Sequence, residues 1–587
     1  MIKFLALPLF LLLMFGCASV KREAVSAEMY HGMALAYIDK KDYEKAIEAY
    51  QKAIELKPGY ADLYYGIGDT YLLTENFEKA IEAYKKVIAL KPNFAKAYTH
   101  IGMAYTYDER DYGKAIEYSQ KALELSPKDT MAHSVMGTAY YLKKDYDKAI
   151  EYYKKVIELD PSWSSAYTRL GAAYSDKKDY GNAIAYYKKA IELKPYDSWA
   201  YHKIGDAYES KQEPENAFYY KGMAYYYDED YDRAIASYKK AVELKPDFAE
   251  AYFEIGRVFY HQKDYASTIE FNKKAIELKP DYIEAYHFMG NAYLNSKEYD
   301  KAIEVHKKII ELKVDFIASY YEIGRAHHYK QDYDKAIEYY RKSLEFNPEY
   351  RLSFNKLGDV YYDKHDYDRA IEYYQKTLEA DPNFDPAYYS MGRAYAAKKD
   401  YENAIGYFQK TLEIDPYFAP AYCDIGRVHH NTRNYEQALA YYKRAISLQP
   451  NYIEAYIYTG SAYEKMENYD LAIEYYKKAN ELKPEDAMIH NNLGWYYAKK
   501  QDWDKALEHC KKSIELNSEN AAAQHSIGFV YAGRKNYDKA IEHYKKSIAL
   551  RPDNAETYHD LGEAYEAKGD KAHGLEFKKK AAELDNR

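Results

Sequence analysis

The sequence predicts an all-α fold, a solenoid built from antiparallel helix pairs. A small residue, usually glycine, recurs with a period of 34 residues along most of the chain. Within each period, apolar and aromatic residues follow helical spacing in two stretches, for example AYHFMGNAY (285–293) and YDKAIEVHKKIIEL (299–312). A proline closes most periods, and proline cannot continue a helix. Stacked hairpins also explain how one chain of 587 residues escapes the size limit of a single core.

The recurring small residue, counted as position 8 of each unit, marks the crossing of the two helices. Gly290 on a first helix and Ala302 on the second illustrate the pair, because bulkier side chains there would hold the helix axes apart. The chain contains sixteen near-complete units and one truncated unit. Position 8 is occupied in turn by Ala34, Gly68, Gly102, Gly137, Gly171, Gly205, Gly222, Gly256, Gly290, Gly324, Gly358, Gly392, Gly426, Gly460, Gly494, Gly528 and Gly562.

Tyrosine is the most conspicuous residue of the repeat, with 77 copies in the chain. In one unit, Tyr286 and Tyr293 on the first helix and Ile303 and Ile310 on the second lie at helical spacing and are expected to bury the face around the crossing. Packed tyrosine rings need a hydrogen-bond partner or water for each hydroxyl group. Most tyrosines are therefore predicted to belong to the core rather than to a binding site.

The repeated unit resembles the tetratricopeptide repeat family over roughly residues 28–584. The resemblance implies a right-handed superhelix of 34-residue units. It also implies an inner groove lined by positions 2, 5, 9, 12 and 13 of each first helix, and a role in binding proteins or peptides without catalysis.

These groove positions hold the candidate partner-binding residues. Arginine supplies a planar fork for carboxylates, and neighbouring aromatic rings can pack against side chains of an extended or acidic segment. We expect a cationic and aromatic stripe that presents charge without supporting the hairpin core. The candidates are Arg257, Arg325, Arg393 and Arg427 at position 9, Tyr321 and Tyr389 at position 5, Tyr260 and His328 at position 12, and Trp495 as an aromatic anchor.

The repeat is interrupted between Gly205 and Gly222, where the spacing falls to 17 residues. One helix is missing, so segment 214–228 either serves two neighbouring units or divides the stack into two blocks. Pro214 suits the first turn of a helix, and we expect one helix there. The predicted organisation is a first block (28–213), an irregular half-repeat junction (214–228), and a second block (229–587) that ends in a polar capping helix.

The N-terminus reads as a signal peptide (1–16) followed by a short tether (17–27), with Lys3 before an apolar run. The sequence Met-Phe-Gly-Cys, which ends at Cys17, resembles the bacterial lipobox, and Cys17 is the expected lipidation site. An uncleaved anchor and an ordinary signal peptide cleaved near Ala18 remain alternatives, and all three export the chain. Because no Asp follows Cys17, the outer membrane is the expected location in a Gram-negative cell.

Several functional classes lack support in the sequence. The 84 Lys and Arg residues are balanced by 93 Asp and Glu residues without a basic stripe, which argues against nucleic-acid binding. Adjacent histidines such as His327 and His328 point about 100° apart on a helix, so no metal is expected. An enzyme site in the groove, for example at His328 and Glu322, lacks a nucleophile, base and orienter set. No cofactor is expected.

The expected function is that of a non-catalytic scaffold, an envelope lipoprotein that binds protein or peptide partners through its groove. The N-terminal lipid would attach it to the membrane. A glycan-binding or peptidoglycan-binding envelope protein, which would use the same aromatic residues, is the alternative.

Overall fold

The computed structural model describes residues 26–108 and 111–585. Regular secondary structure in these ranges consists of 33 α-helices, and no strand occurs among them. The predicted all-α fold is therefore confirmed. Cys17 and the predicted signal peptide lie outside the described residues. None of the described helices has the length and apolar character needed to cross a membrane.

The chain divides into two compact units, one ending at Ser296 and the other beginning at Lys297, and each is described by itself. The helices of the first unit are α1 (Ala27–Asp39), α2 (Tyr43–Leu56), α3 (Ala61–Leu73), α4 (Phe77–Leu90), α5 (Ala95–Tyr107), α6 (Tyr112–Leu125), α7 (Thr130–Leu142), α8 (Tyr146–Leu159), α9 (Ser164–Asp176), α10 (Tyr180–Leu193), α11 (Ser198–Ser210), α12 (Pro214–Tyr227), α13 (Tyr231–Leu244), α14 (Ala249–His261), α15 (Tyr265–Leu278) and α16 (Ile283–Asn295).

The helices of the second unit are α17 (Tyr299–Leu312), α18 (Ile317–Tyr329), α19 (Tyr333–Phe346), α20 (Arg351–Asp363), α21 (Tyr367–Ala380), α22 (Asp385–Ala397), α23 (Tyr401–Ile414), α24 (Ala419–Asn431), α25 (Tyr435–Leu448), α26 (Ile453–Lys465), α27 (Tyr469–Leu482), α28 (Ala487–Lys499), α29 (Trp503–Leu516), α30 (Ala521–Gly533), α31 (Tyr537–Leu550), α32 (Ala555–Lys568) and α33 (Lys571–Asp585).

In the described hairpins, a tight turn joins the two helices. One residue of this turn adopts the left-handed conformation, as Lys178 does with φ 65°. The residue before the second helix is usually Asp or Asn, and its side chain accepts from a free backbone N–H. Asp145, for example, accepts from the Lys148 N–H at 3.3 Å. Turns this short make the two helices antiparallel, and within each unit successive helices pack on one another as a solenoid.

In most repeats the glycine at position 8 lies against the ring of a tyrosine on the second helix. A Cβ added at Gly324 would lie 2.6 Å from Cδ1 of Tyr340, whose side chain is 0% exposed. A Cβ at Gly426 would lie 2.6 Å from Tyr442 and 3.2 Å from the Ala438 carbonyl oxygen. The expectation that bulk is excluded at the crossing is confirmed. The large ring that fills the space comes from sixteen residues later and was not predicted.

The half-repeat is bridged by one helix with two roles. α12 begins at Pro214, as expected, and is joined on both sides by the three-residue turns that elsewhere join the helices of a hairpin. As a second helix it covers Gly205, where an added Cβ would lie 2.7 Å from Lys221. As a first helix it places Gly222 against the ring of Tyr238, and a Cβ added at Gly222 would lie 2.6 Å from Cδ1 of that ring. The helix therefore serves both of its neighbours.

Candidate functional site

Four helices of the second unit form the candidate site. α18, α20, α22 and α24 are the first helices of successive hairpins, and each touches the next one of this set. Because the repeat period is 34 residues, side chains at positions 5, 9 and 12 recur on the same face of each helix. The structure thereby brings together several predicted residues: His328, Tyr389, Arg393 and Arg427.

Two adjoining cavities lie along this face. The larger, of about 400 Å³, is lined in part by His328, Tyr389 and Arg393. The smaller, of about 220 Å³, is lined in part by Arg427. Both cavities share Tyr362 and Arg393, so the Arg393 side chain lies between them.

Two of the predicted arginines in this unit are already paired with acids on their own helix. Nη1 of Arg427 donates to Oδ1 of Asp424 at 2.7 Å, and Nη1 of Arg325 donates to Oε2 of Glu322 at 2.7 Å. Burial raises the pKa of Glu322, an effect that the Arg325 charge opposes. Each acid lies three residues before its arginine, at position 6 of the unit. Two of the arginines expected in the cationic stripe therefore have their charges paired within their own helices.

Arg393 differs because its 34-residue repeat has Ser390, and not an acid, at position 6. Its guanidinium lies 4.9 Å from the centre of the Tyr362 ring. In the described part of the chain, Arg393 forms no ion pair with a carboxylate. The negative charge of Asp424 raises the pKa of Arg393 without a direct hydrogen bond. Arg393 is also exposed. Among the four predicted arginines, Arg393 and no other lacks an ion pair in the described residues, although Asp359, Asp363 and Asp385 line the same larger cavity.

Two further predicted residues of the larger cavity, His328 and Tyr389, have acidic hydrogen-bond partners. Nε2 of His328 lies 2.8 Å from Oδ2 of Asp363. The hydroxyl group of Tyr389 donates to Oδ2 of Asp424 at 2.8 Å. Burial, together with the Asp424 charge, raises the pKa of Tyr389 far above its usual value. This shift is consistent with the Tyr389 hydroxyl group donating its hydrogen bond to Asp424.

In the first unit, Arg257 does not stand free of the core, contrary to expectation. Its side chain is only 17% exposed, and its Nη2 lies 2.8 Å from Oε2 of Glu254. Its guanidinium also lies 4.1 Å from the centre of the Tyr226 ring. Burial raises the pKa of Glu254 to about 7. Tyr260, in the same unit, accepts a hydrogen bond from Asn295 at 3.1 Å.

The other two predicted aromatic residues also contact their own chain. Tyr321 is 9% exposed, and its ring centre lies 5.8 Å from that of Tyr340. Trp495 is half-buried, with its ring centre 5.0 Å from that of Phe529 and 4.4 Å from Nζ of Lys499. Neither residue lines the two cavities around Arg393.

One group of side chains in the described ranges has the spacing of metal ligands. The ligand atoms of His559, Asp560 and Glu563 lie within 4.8 Å of one another. His559 and Glu563 are exposed, and Asp560 is already bonded to Nε2 of His525 at 2.9 Å. This arrangement is typical of a surface ion-pair network, and it lies apart from the cavities around Arg393.

The acids at position 6 were not predicted from the sequence. Their signal was present, because an acid three residues before an arginine lies on the same face of a helix. Glu254, Glu322 and Asp424 follow this rule, and Ser390 breaks it. Reading positions 6 and 9 together would have separated Arg393 from the other three arginines.

Family models match almost the whole chain, and all describe a tetratricopeptide repeat. No curated protein matches the chain. The matched ranges are 25–93, 95–129, 131–162, 164–197, 219–283, 283–314, 315–383, 355–417, 419–452, 453–486, 487–520, 531–569 and 555–587.

Solved structures align with the chain at low overall similarity. A subunit of the APC/C hetero-tetramer Cut9-Hcn1 is 16% identical with a TM-score of 0.37, over 92% of this chain and 96% of that one. A chain of Naa15/Naa10 bound to HypK-THB is 12% identical with a TM-score of 0.37, over 94% and 99%. MamA is 30% identical with a TM-score of 0.25, over 28% of this chain and 95% of its own.

Proposed function

Because the chain belongs to the tetratricopeptide repeat family, we propose that it is a non-catalytic scaffold that binds protein partners through the groove of its second unit. The ligand class is an extended segment that carries a carboxylate. The groove side chains are held by hydrogen bonds and ion pairs, so they offer a preformed surface. A preformed surface loses less side-chain entropy when a partner binds.

The unpaired guanidinium of Arg393 is the observation that carries this proposal. It lies between two cavities and against the Tyr362 ring. A carboxylate of the partner would pair with Arg393 in the way that Asp424 pairs with Arg427. Neighbouring side chains of the partner would enter the two cavities. Arg427 and His328 already have acidic partners and would contribute shape and hydrogen bonds more than net charge.

We further propose that the scaffold is exported and attached to the cell envelope through a lipid on Cys17. The lipobox-like sequence that ends at Cys17 supports this attachment. A multiply acylated cysteine would anchor the chain durably, whereas a single acyl chain binds a membrane only marginally. In this arrangement the repeats would face the envelope space and assemble partners there.

A matched set of variants tests the binding mode. Arg393→Gln removes the unpaired charge, Arg427→Gln removes a paired one, and Ser390→Asp supplies the missing acid at position 6. The probe is a flexible Asp-Gly-Ser peptide, compared with its Asn-Gly-Ser counterpart in calorimetry. Because a hydrogen bond to a charged group contributes about 1.5–3 kcal/mol, Arg393→Gln should weaken Asp-peptide binding about tenfold or more.

Ser390→Asp should weaken binding to a similar extent, and Arg427→Gln should weaken it less. Circular dichroism on each variant checks that the helices are intact. Equal affinity for the Asp and Asn peptides in the unmodified protein would refute the carboxylate proposal. Binding of muropeptides that is insensitive to Arg393→Gln would favour the peptidoglycan-binding alternative.

A further inference from the structure

The first helix of the chain, α1, leaves one apolar face exposed. Met29, Gly32, Met33 and Ala36 are all exposed, Met29 at 47% and Met33 at 37%. They lie three or four residues apart, so they share one side of the helix and form an apolar stripe. Among the described residues, no neighbouring element lies within 4 Å of a Cβ added at Gly32. The stripe is therefore open to the surroundings.

The same positions are buried in later units of the array. The stripe includes positions 3, 7 and 10 of its unit. In a later unit these positions hold Ala285, Met289 and Ala292, which are at most 6% exposed, and α15 of the preceding hairpin packs on their helix, α16. No helix precedes α1 in the described chain. Thus α1 has the residue types of an internal helix without the helix that covers them.

The last helix, α33, has a more polar surface than α1. Its exposed residues include Lys571, Glu576, Lys579 and Lys580, and Leu575 is the one large apolar side chain among its exposed residues. A polar outer face is what keeps the terminal repeat of an array soluble without a further neighbour. Because the stripe of α1 is apolar, α1 needs a covering surface that α33 does not need.

A second copy of the chain is a poor fit to the stripe. A stable interface between proteins takes about 800 Å² and about 20–30 residues from each partner. The stripe has four residues, and two of them, Gly32 and Ala36, are small. A lipid surface has no such minimum, because an amphipathic helix binds it in proportion to the apolar area that it buries.

Chain length places the stripe close to the proposed lipid. Ala27, where α1 begins, lies ten residues after Cys17. Since an extended chain spans at most about 3.3–3.6 Å per residue, α1 begins within about 35 Å of Cys17. A tether this short gives an effective concentration of the order of millimolar, so even a weak contact forms. We propose that the apolar stripe of α1 docks on the membrane surface that holds the lipid on Cys17.

In this arrangement Met29 and Met33 enter the boundary between the lipid headgroups and the acyl chains. Glu28, at the edge of the stripe, is already paired, since Nζ of Lys57 donates to its Oε1 at 2.8 Å. The paired carboxylate therefore does not oppose the contact. The inference rests on the proposed lipid attachment and goes beyond it, because the lipid holds the chain at the membrane whereas the stripe determines how α1 lies there.

The test supplies the lipid chemically, so it does not depend on acylation in the cell. A chain that begins at Cys17 keeps every described residue, and N-tetradecylmaleimide adds one acyl chain to the Cys17 thiol. The other two cysteines, Cys423 and Cys510, are buried. Because one acyl chain binds a membrane only marginally, an added contact by α1 is measurable as partitioning into phosphatidylcholine vesicles.

Replacing Met29 and Met33 together with Gln should lower the partition coefficient about tenfold or more, since most of the apolar area of the stripe is lost. Replacing both with Leu keeps that area and should retain partitioning. Gly32→Gln is an independent variant that leaves both methionines in place, and it should also weaken partitioning.

A matched control replaces two exposed methionines of the second unit, Met466 and Met488, with Gln. These are 40% and 55% exposed, close to the values in α1, and the change should leave partitioning unaltered. Circular dichroism checks that each variant keeps its helices.

Equal partitioning of the unmodified chain and the α1 variants would overturn the inference, and so would an equal loss in the control. A dimer in sedimentation velocity without vesicles, present in the unmodified chain and absent from the Met29 and Met33 double variant, would overturn it in favour of a second copy. Acyl labelling of Cys17→Ser in cells tests the lipid attachment separately, so failure of the attachment and failure of the docking are distinguishable.

Discussion

The buried tyrosines at position 24 of the unit, which cover the glycines, allow a sharp test of the packing. Tyr340 and Tyr374 lie one period apart and are 0% and 2% exposed. The Tyr374 hydroxyl group donates to Oδ1 of Asp359 at 2.9 Å. The Tyr340 hydroxyl group has no hydrogen-bond partner among the described protein groups. Phe408 occupies the same position in the next unit, so the fold accommodates phenylalanine there.

Replacing each tyrosine with phenylalanine should therefore have opposite effects. Tyr374→Phe removes a hydrogen bond to a charged group, which contributes about 1.5–3 kcal/mol. Tyr340→Phe removes a buried unpaired hydroxyl group, whose burial costs about 1–3 kcal/mol, so it should be neutral or stabilising. The free energies of unfolding of the two variants should differ by about 2 kcal/mol or more.

Amide hydrogen exchange in α19 and α21 is the appropriate assay, because the stability of a repeat array is a sum of local and nearest-neighbour contributions. Tyr442→Phe is the control, since its hydroxyl group is likewise unpaired among the described groups. It should behave like Tyr340→Phe. Equal destabilisation by all three substitutions would refute the reasoning about hydroxyl partners.

Three further predictions concern acid stability, packing and anchoring. Burial and the nearby His490 lower the pKa of His509. His509 therefore binds a proton less readily in the folded protein than in the unfolded chain. The free energy of unfolding should consequently decrease as the pH falls below about 6.5. His509→Tyr should reduce this acid loss in thermal melts at several pH values, and an unchanged pH profile would contradict it. Gly324→Ala should destabilise its hairpin by about 1–3 kcal/mol through overpacking against Tyr340, measured by local hydrogen exchange, and unaltered protection would count against this packing. Cys17→Ser should block acyl labelling and membrane retention, and labelling that persists would exclude lipidation at this residue.

The helix pairs could be predicted because every unit repeats the same spacing of small and apolar residues. The role of α12 could not, since a spacing of 17 residues shows that a helix is missing but not how the remaining one packs. The structure resolves this, because Lys221 of α12 packs over Gly205 of α11, whereas Gly222 of α12 is itself covered by Tyr238 of α13.

The candidate site was predictable in position but not in charge. Repeat numbering placed Tyr389 and Arg393 on the groove face, since position alone determines which side of a helix a residue occupies. Whether an arginine is free depends on a neighbour one turn away, and this separates Arg393 from Arg427. The cavities themselves depend on side-chain packing between successive hairpins, for which the sequence pattern has no direct signal.

Site-specific photocrosslinking tests the central claim most directly, that the groove of the second unit is the partner-binding surface. Benzoylphenylalanine would replace Asn431, an exposed residue that lines the smaller cavity, or Gln375, an exposed residue of the second helix α21. With the Asp-Gly-Ser peptide, the probe at residue 431 should crosslink, and Arg393→Gln should suppress the product. Crosslinking from residue 375 alone, or products insensitive to Arg393→Gln, would contradict the account.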